Sequence, residues 1–226
     1  MFRILSRVIA DAVVVAIAMF LSAGTLAWPR AWVLLAVLVV VRTWSAIAVF
    51  RVNPALLRER ATVLIHPDQP LLDRLVLFAF MLSGFIGVPA VAALDAFHWH
   101  VLPSPPRLLA SAGLALFTMG WMIIGMALRE NPFAVTVVRH QRDRQHAVVA
   151  SGLYGVVRHP MYAGNLLVNV GLGLWLGSYA AVLFAVIPLG LLMVRIALEE
   201  RFLRRELPGY HEYAAHVAYR LLPGVW

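Results

Sequence analysis

The sequence predicts an all-α integral membrane protein with about five to six transmembrane helices, the last two forming a tight hairpin. Three observations carry this. Hydrophobic residues make up 62% of the 226 positions, against about 45–50% in soluble domains. Charged residues make up only 13%, roughly half the soluble share of about 25%. Mean hydropathy is +0.83, and the apolar residues fall in long runs separated by short Arg-bearing breaks.

A spanning helix needs about 20 mainly apolar residues, and the runs can be taken in order. The first extends from Val8 to Trp28, ended by Pro29 and Arg30, and the second from Ala31 to Phe50. Arg3 and Arg7 precede the first run, which is too long for the apolar core of a cleaved signal peptide and reads as a retained helix. A polar stretch, Arg51 to Arg74, is broken by Asn53-Pro54 and His66-Pro67. The third run is Leu75 to Phe97, and Pro103, Pro105 and Pro106 turn the chain before the fourth, Leu108 to Leu128. A long polar interval reaches Pro160. Two shorter runs follow, Met161 to Leu176 and Tyr179 to Leu198, split by Gly177-Ser178 and read as the closing hairpin. In the tail, Tyr210, Tyr213, Ala214 and Val217 fall at i, i+3, i+4 and i+7, one helix face. The chain divides into helices one to four (1–130) and a polar-rich final part (131–226), packed as one domain.

Charge sets orientation. The net charge is +8, and all basic residues are Arg. With the N-terminus in the cytoplasm, alternating spans place 16 Arg residues on that side and only Arg30 and Arg107 opposite, with Arg42 inside a span. This is a strong positive-inside bias. Short, scattered Arg loops exclude a nucleic-acid interface. The absence of Cys excludes a disulfide framework and thiolate chemistry, and His140 and His146 lack metal-site spacing.

Two polar knots stand at the mouths of the closing runs. The first is Gly152-Leu153-Tyr154-Gly155-Val156-Val157-Arg158-His159-Pro160-Met161-Tyr162-Ala163-Gly164. Its plain reading is a juxtamembrane anchor, with Arg158 snorkelling and Pro160 starting a helix. Its chemical reading is a binding loop, since a helix starting at Pro160 points free N–H groups at an anion. The second knot is Arg195, Glu199 and Glu200. Helix-end pairing at i, i+4 explains it without function, yet Arg195 lies inside an apolar run, where charge is costly and marks a site. Tyr162, Asn165 and Asn169 share one helix face, as a pocket wall or as interhelical glue. His146 precedes an extended lead-in, Val148-Val149-Ala150. Gly171-x-Gly173-x-x-x-Gly177 has no strand before it and reads as close helix packing.

The ordered set His146…Ser151-Gly152-x-Tyr154-x-x-x-Arg158-His159-Pro160-x-Tyr162-x-Gly164, then Arg195-x-x-x-Glu199-Glu200, Gly209-Tyr210-x-x-Tyr213 and Val217-x-x-Arg220-Leu221-Leu222-Pro223-Gly224 resembles the isoprenylcysteine carboxyl methyltransferases and the related phospholipid methyltransferases. The resemblance covers the last hundred residues. It implies a membrane enzyme taking S-adenosyl-L-methionine from the cytoplasm and a lipophilic or lipidated acceptor from the bilayer, with membrane lipids as partners. By carry-over, His146, Val148, Val149, Gly152, Tyr154, Arg158, His159, Pro160, Tyr162, Asn165 and Glu199 are cofactor-binding. Arg195 and Glu200 are catalytic, where cofactor and acceptor meet. No metal is implied. The acceptor favoured by the resemblance is an isoprenylcysteine-type carboxylate, with a phospholipid amine or a thiol as alternatives. A membrane sterol reductase using NADPH shares the Arg-His and Arg-Leu-Leu-Pro-Gly features, but its motif differs at Met161 and Asn165. A non-catalytic scaffold is the third reading. All-Arg basic usage with abundant Ala, Val and Leu points to a GC-rich bacterial source, hence an inner-membrane location.

Overall fold

The computed structural model describes residues 2–62, 69–134 and 147–226. His146 and the Arg139–Arg144 part of the polar interval lie outside the described residues. The described chain is helical throughout, with no strand. Helix α1 is Phe2–Ala23, α2 Pro29–Val52 and α3 Pro54–Thr62. Next, α4 (Leu71–Met81) runs through a π-helical segment (Leu82–Gly87) into α5 (Val88–Leu94) and a second π segment (Asp95–Trp99). Then come α6 (Arg107–Glu130), α7 (Pro160–Leu176), α8 (Tyr179–Phe184), α9 (Val186–Glu206) and α10 (Tyr210–His216). Among the described residues, five stretches are long and apolar enough to cross a membrane: α1, α2, the α4–α5 rod, α6 and the α8–α9 rod. Helix α7 has 17 residues, which at 1.5 Å per residue gives roughly 26 Å, a little short of a 30 Å hydrocarbon slab. The protein is an integral membrane protein.

Local chemistry explains the boundaries. The first span starts earlier than its apolar run suggests and stops at Ala23, because Gly24 takes φ 69° and ends the helix before Trp28. Pro29, Pro54 and Pro160 each open a helix, where the missing N–H costs nothing. Helix α7 ends at Gly177, whose φ of 88° is left-handed, a backbone state that a side chain would strain. Ser178 then caps α8, its Oγ accepting from Ala181 N at 3.0 Å. The polar stretch before the third span contains a helix, α3, which its charge pattern hid.

Hydrogen bonds define two faces of the bundle. At the far face, Trp175 Nε1 donates to Arg30 O at 2.7 Å, Ser178 Oγ donates to Asp95 Oδ2 at 2.6 Å and His98 Nε2 contacts Ser22 O at 3.0 Å. At the near face, Asn53 Nδ2 donates to Arg129 O at 2.9 Å, which ties the end of α2 to the end of α6. The broadest helix contact is α6 against α7. It is made close by glycines: a Cβ on Gly120 would lie 2.5 Å from Gly164 O, and one on Gly171 would lie 2.5 Å from Gly113 O. Small residues of this kind let helix backbones approach within a membrane. The two final apolar runs are joined by the tight Gly177-Ser178 turn, but α7 spends most of its surface on α6, while α9 packs against α4.

Candidate active site

The near face carries the site. The segment from Gly152 to Gly155 forms a single 3₁₀ turn. Gly152 has φ 56°, and a Cβ there would run into the Glu130 carboxylate, which accepts from Leu153 N at 2.8 Å. Only glycine fits, so Gly152 positions the loop against the end of α6. The loop then feeds Arg158 and His159 into the start of α7.

Arg158 is buried, and its Nε and Nη1 donors are spent on the protein. Its Nε donates to Glu200 Oε1 at 2.7 Å and its Nη1 to Val217 O at 2.6 Å and Ala218 O at 2.9 Å. The backbone does the same work: Arg158 N and His159 N donate to Tyr219 O and Arg220 O, each at 2.9 Å. Arg220 Nε donates to the other Glu200 oxygen at 3.1 Å, and Tyr213 donates through its hydroxyl to Tyr154 O at 2.8 Å. The Gly-Tyr-x-x-Tyr and Arg-Leu-Leu-Pro-Gly stretches of the tail are therefore clamped under the binding loop. Burial pushes the Tyr213 hydroxyl up to about 12, against an opposing pull from Arg158. Burial also raises the Tyr154 hydroxyl, so both remain neutral at ordinary pH.

The adjacent carboxylates of α9 point different ways. Glu200 faces inward, with one oxygen on Arg158 and within 3.2 Å of His159 Nε2, and the other on Arg220. Glu199 faces a cleft and accepts from the Tyr162 hydroxyl at 2.7 Å. Arg195 Nε donates to that hydroxyl at 3.1 Å and approaches Asp73 Oδ1 at 3.8 Å. The rings of His159 and Tyr162 stack with centroids 5.5 Å apart and planes 12° from parallel.

Two cavities meet at this point. The first opens to solvent, has a cavity volume of about 100 Å³, and is lined by Val148, Val149, Tyr154, Arg158, His159, Tyr162, Arg195 and Glu199, together with Asn131, Phe202, Tyr210 and Tyr213. The second has a cavity volume of about 230 Å³, lies among α1, α2, α3, α4, α6, α7 and α9, and is mostly apolar. Met161, Tyr162 and Arg195 belong to both walls.

Residues 108–208 match the family model described as phospholipid methyltransferase. The chain is 30% identical over 123 residues to protein-S-isoprenylcysteine O-methyltransferase B of Arabidopsis thaliana, covering 53% of this chain and 58% of that one. It is 28% identical over 92 residues to the Schizosaccharomyces pombe protein-S-isoprenylcysteine O-methyltransferase, covering 38% and 39%. It is also 30% identical over 100 residues to the cobalt-zinc-cadmium resistance protein CzcN of Cupriavidus metallidurans, covering 44% and 45%. The chain thus spans less than two thirds of the length of these curated relatives. In fold it resembles a eukaryotic intramembrane Ras methyltransferase, isoprenylcysteine carboxyl methyltransferase, with a TM-score of 0.51 at 18% identity, covering 94% of this chain and 72% of that one.

The residues singled out from sequence separate by their place at the site. Val148, Val149, Tyr154, His159, Tyr162, Arg195 and Glu199 come together around the solvent-open cavity. Asn165 lines the apolar cavity instead, one helical turn beyond Tyr162. Gly152, Pro160 and Glu200 line neither cavity: Gly152 and Pro160 shape the backbone, and Glu200 closes the ion cluster. Arg158 touches the cavity wall but holds the tail. Sequence reasoning missed Asp73, Asn131 and Phe202. The first sits in a helix start that reads as an ordinary acidic first turn. The other two look like any loop or helix-end residue until folding brings them beside the knots.

Proposed function

We propose that the protein is an S-adenosyl-L-methionine-dependent membrane methyltransferase acting on a lipophilic carboxylate of the isoprenylcysteine type. The observation that supports this best is the pair of cavities sharing Tyr162, Met161 and Arg195. A water-soluble donor fits the open one and a lipid fits the apolar one, so donor and acceptor would meet at the shared wall.

The donor set suits a zwitterionic sulfonium compound. Glu199 offers a half-buried carboxylate to a cation or to ribose hydroxyls. Arg195 offers a guanidinium to a carboxylate. Phe202, Leu203, Leu207 and Tyr210 offer apolar and aromatic walls to a purine. The bound cofactor supplies an electrophilic methyl group, already activated by the sulfonium charge. The residues of this chain align acceptor and donor and keep water out, which is the larger part of what such a transfer needs. Tyr162, held between Arg195 and Glu199, fixes the boundary between the two cavities.

Two features favour an anionic acceptor over an amine. Both oxygens of Glu200 are engaged, so Glu200 supplies no free base for an amine. The apolar cavity is lined by four Arg residues (Arg7, Arg42, Arg60, Arg195) and one carboxylate, Asp11, a field that suits an incoming carboxylate. A labelled methyl-transfer assay on host lipid extract tests this, with base treatment separating methyl esters from methylamines and thioethers. Base-labile label is expected; base-stable label alone overturns the carboxylate reading. Calorimetry of purified protein with S-adenosyl-L-methionine and with NADPH separates the transferase from a reductase, since binding of NADPH alone would remove the transferase. By the Arg distribution, the open cavity faces the cytoplasm of a bacterial inner membrane.

A further inference from the structure

The apolar cavity contains a second polar station, remote from the Tyr162–Arg195 wall in sequence and built from α1, α2 and α6. Asp11 on α1 is shared by two guanidiniums: Arg7 Nε donates to Oδ1 at 3.1 Å and Arg42 Nη1 lies 2.7 Å from Oδ2. One carboxylate against two Arg residues leaves one positive charge uncompensated in a membrane-embedded wall, where charge marks function by default. The Arg42 guanidinium also stacks over the Trp121 ring, 4.6 Å from its centroid.

The decisive feature is what these groups lack. Arg42 Nη1 is paired with Asp11 Oδ2 at 2.7 Å, but Ser45 Oγ and Trp121 Nε1 beside it have no hydrogen-bond partner among the described residues. Trp121 is only 8% exposed. All three side chains line the same cavity. Arg and indole nitrogens can only donate, and a hydroxyl can donate. Buried donors left unpaired are costly, and most in native proteins find partners. Two of them lining one cavity beside the Arg42 guanidinium call for a ligand rich in acceptor oxygens.

We propose that Arg42, Ser45 and Trp121 bind an anionic oxygen group of the acceptor, a carboxylate or phosphate, separate from the group that receives the methyl. The native acceptor is then a lipophile with two polar ends, one reacting at the Tyr162–Arg195 wall and one anchored at Arg42. This rests on reading the apolar cavity as the acceptor site.

The test uses the purified full chain in detergent and two probe series, saturated fatty acids of eight to sixteen carbons and the α,ω-dicarboxylic acids of the same lengths. The variants are Trp121→Phe, which removes one donor and keeps the ring, Ser45→Ala and Arg42→Gln. Wild type should bind at least one diacid about tenfold more tightly than the monoacid of equal length, a difference of the size a charge-assisted hydrogen bond supplies. Trp121→Phe and Arg42→Gln should erase that preference while binding of S-adenosyl-L-methionine stays at the wild-type level, which also reports that the variants fold. Equal affinity of wild type for both series overturns the second station. So does a preference that survives in Trp121→Phe and Ser45→Ala, which would leave the Asp11–Arg42 pair as a tie between α1 and α2. Failure of wild type to bind either series, with S-adenosyl-L-methionine still bound, overturns the underlying assignment of the cavity itself.

Discussion

Glu199 and Glu200 are adjacent, carry the same side chain and sit on the same helix turn, yet their environments are opposite. A rotation of about 100° per residue turns one toward the solvent-open cavity and the other into a cluster with Arg158, His159 and Arg220. The two should respond differently to mutation. Glu199→Gln and Tyr162→Phe should each weaken S-adenosyl-L-methionine binding about tenfold, the size of one charge-assisted hydrogen bond, with melting temperature nearly unchanged; calorimetry and thermal melting read the two quantities. Glu200→Ala should lower stability by about 3–5 kcal/mol, because it leaves two buried or half-buried guanidiniums without their counter-charge. Loss of turnover in Glu200→Ala with wild-type melting behaviour would instead assign Glu200 to chemistry. The sequence made the residue types at this site legible, and the i, i+4 spacing of Arg195 and Glu199 was visible in it. Which of the paired carboxylates faces the cavity was not, because helix phase is referenced to neighbours that only the fold supplies.

At the scale of elements, the tail and the α6–α7 contact are the parts that decide whether the site exists. The tail is held by Arg158 and by the bond from the Tyr213 hydroxyl to Tyr154 O. Since burial raises the Tyr213 hydroxyl from an ordinary value of 10.0 to about 12, its stabilising contribution is complete below about pH 10 and is lost as pH rises through about 12. Tail release, followed by limited proteolysis across this range, should therefore show an alkaline step that Tyr213→Phe removes. The α6–α7 interface should resist enlargement. Gly120→Val would drive a side chain into the Gly164 carbonyl and Val168, and a destabilisation of about 1–3 kcal/mol or more is expected from overpacking, read as a fall in melting temperature in detergent. The close-packing role of Gly171 could be read from its place inside an apolar helix. Its partner could not: spacing shows that a small-residue stripe exists, while only three-dimensional packing shows that Gly171 faces Gly113 and Phe117 of α6 and Gly173 faces Val182 of α8.

For the whole molecule, the Arg distribution makes a topological prediction. The natural chain has no Cys, so single Cys substitutions report accessibility without background. In spheroplasts, Leu102→Cys at the far face should react with a membrane-impermeant maleimide, and Arg205→Cys at the near face should react only after lysis. The reverse pattern would place the open cavity outside the cytoplasm and remove its supply of soluble cofactor. Of the two π segments of the α4–α5 rod, Leu82–Gly87 borders the apolar cavity through Phe85 and a smaller apolar pocket through Gly84 and Phe85, and such segments often mark functional sites in helices.

Hydropathy and Arg placement by themselves determined that this is a helical membrane protein of five to six apolar runs and which loops carry charge; that the run from Met161 to Leu176 falls short of a full span was decided by the structure. The first two follow from transfer of each side chain between water and hydrocarbon, a property of composition along the chain. The ordered His-Pro, Tyr and Glu positions likewise pointed to the phospholipid methyltransferase model that residues 108–208 match. Tertiary structure alone decided that Glu200 is sequestered while Glu199 is presented, that Asn165 lies on the apolar side of Tyr162, and that Asp11, Arg42, Ser45 and Trp121 share one wall. Those are contacts between groups 20 to more than 100 positions apart. They depend on helix phase and on glycine-set interhelical distance, and neither is encoded in any single stretch of sequence.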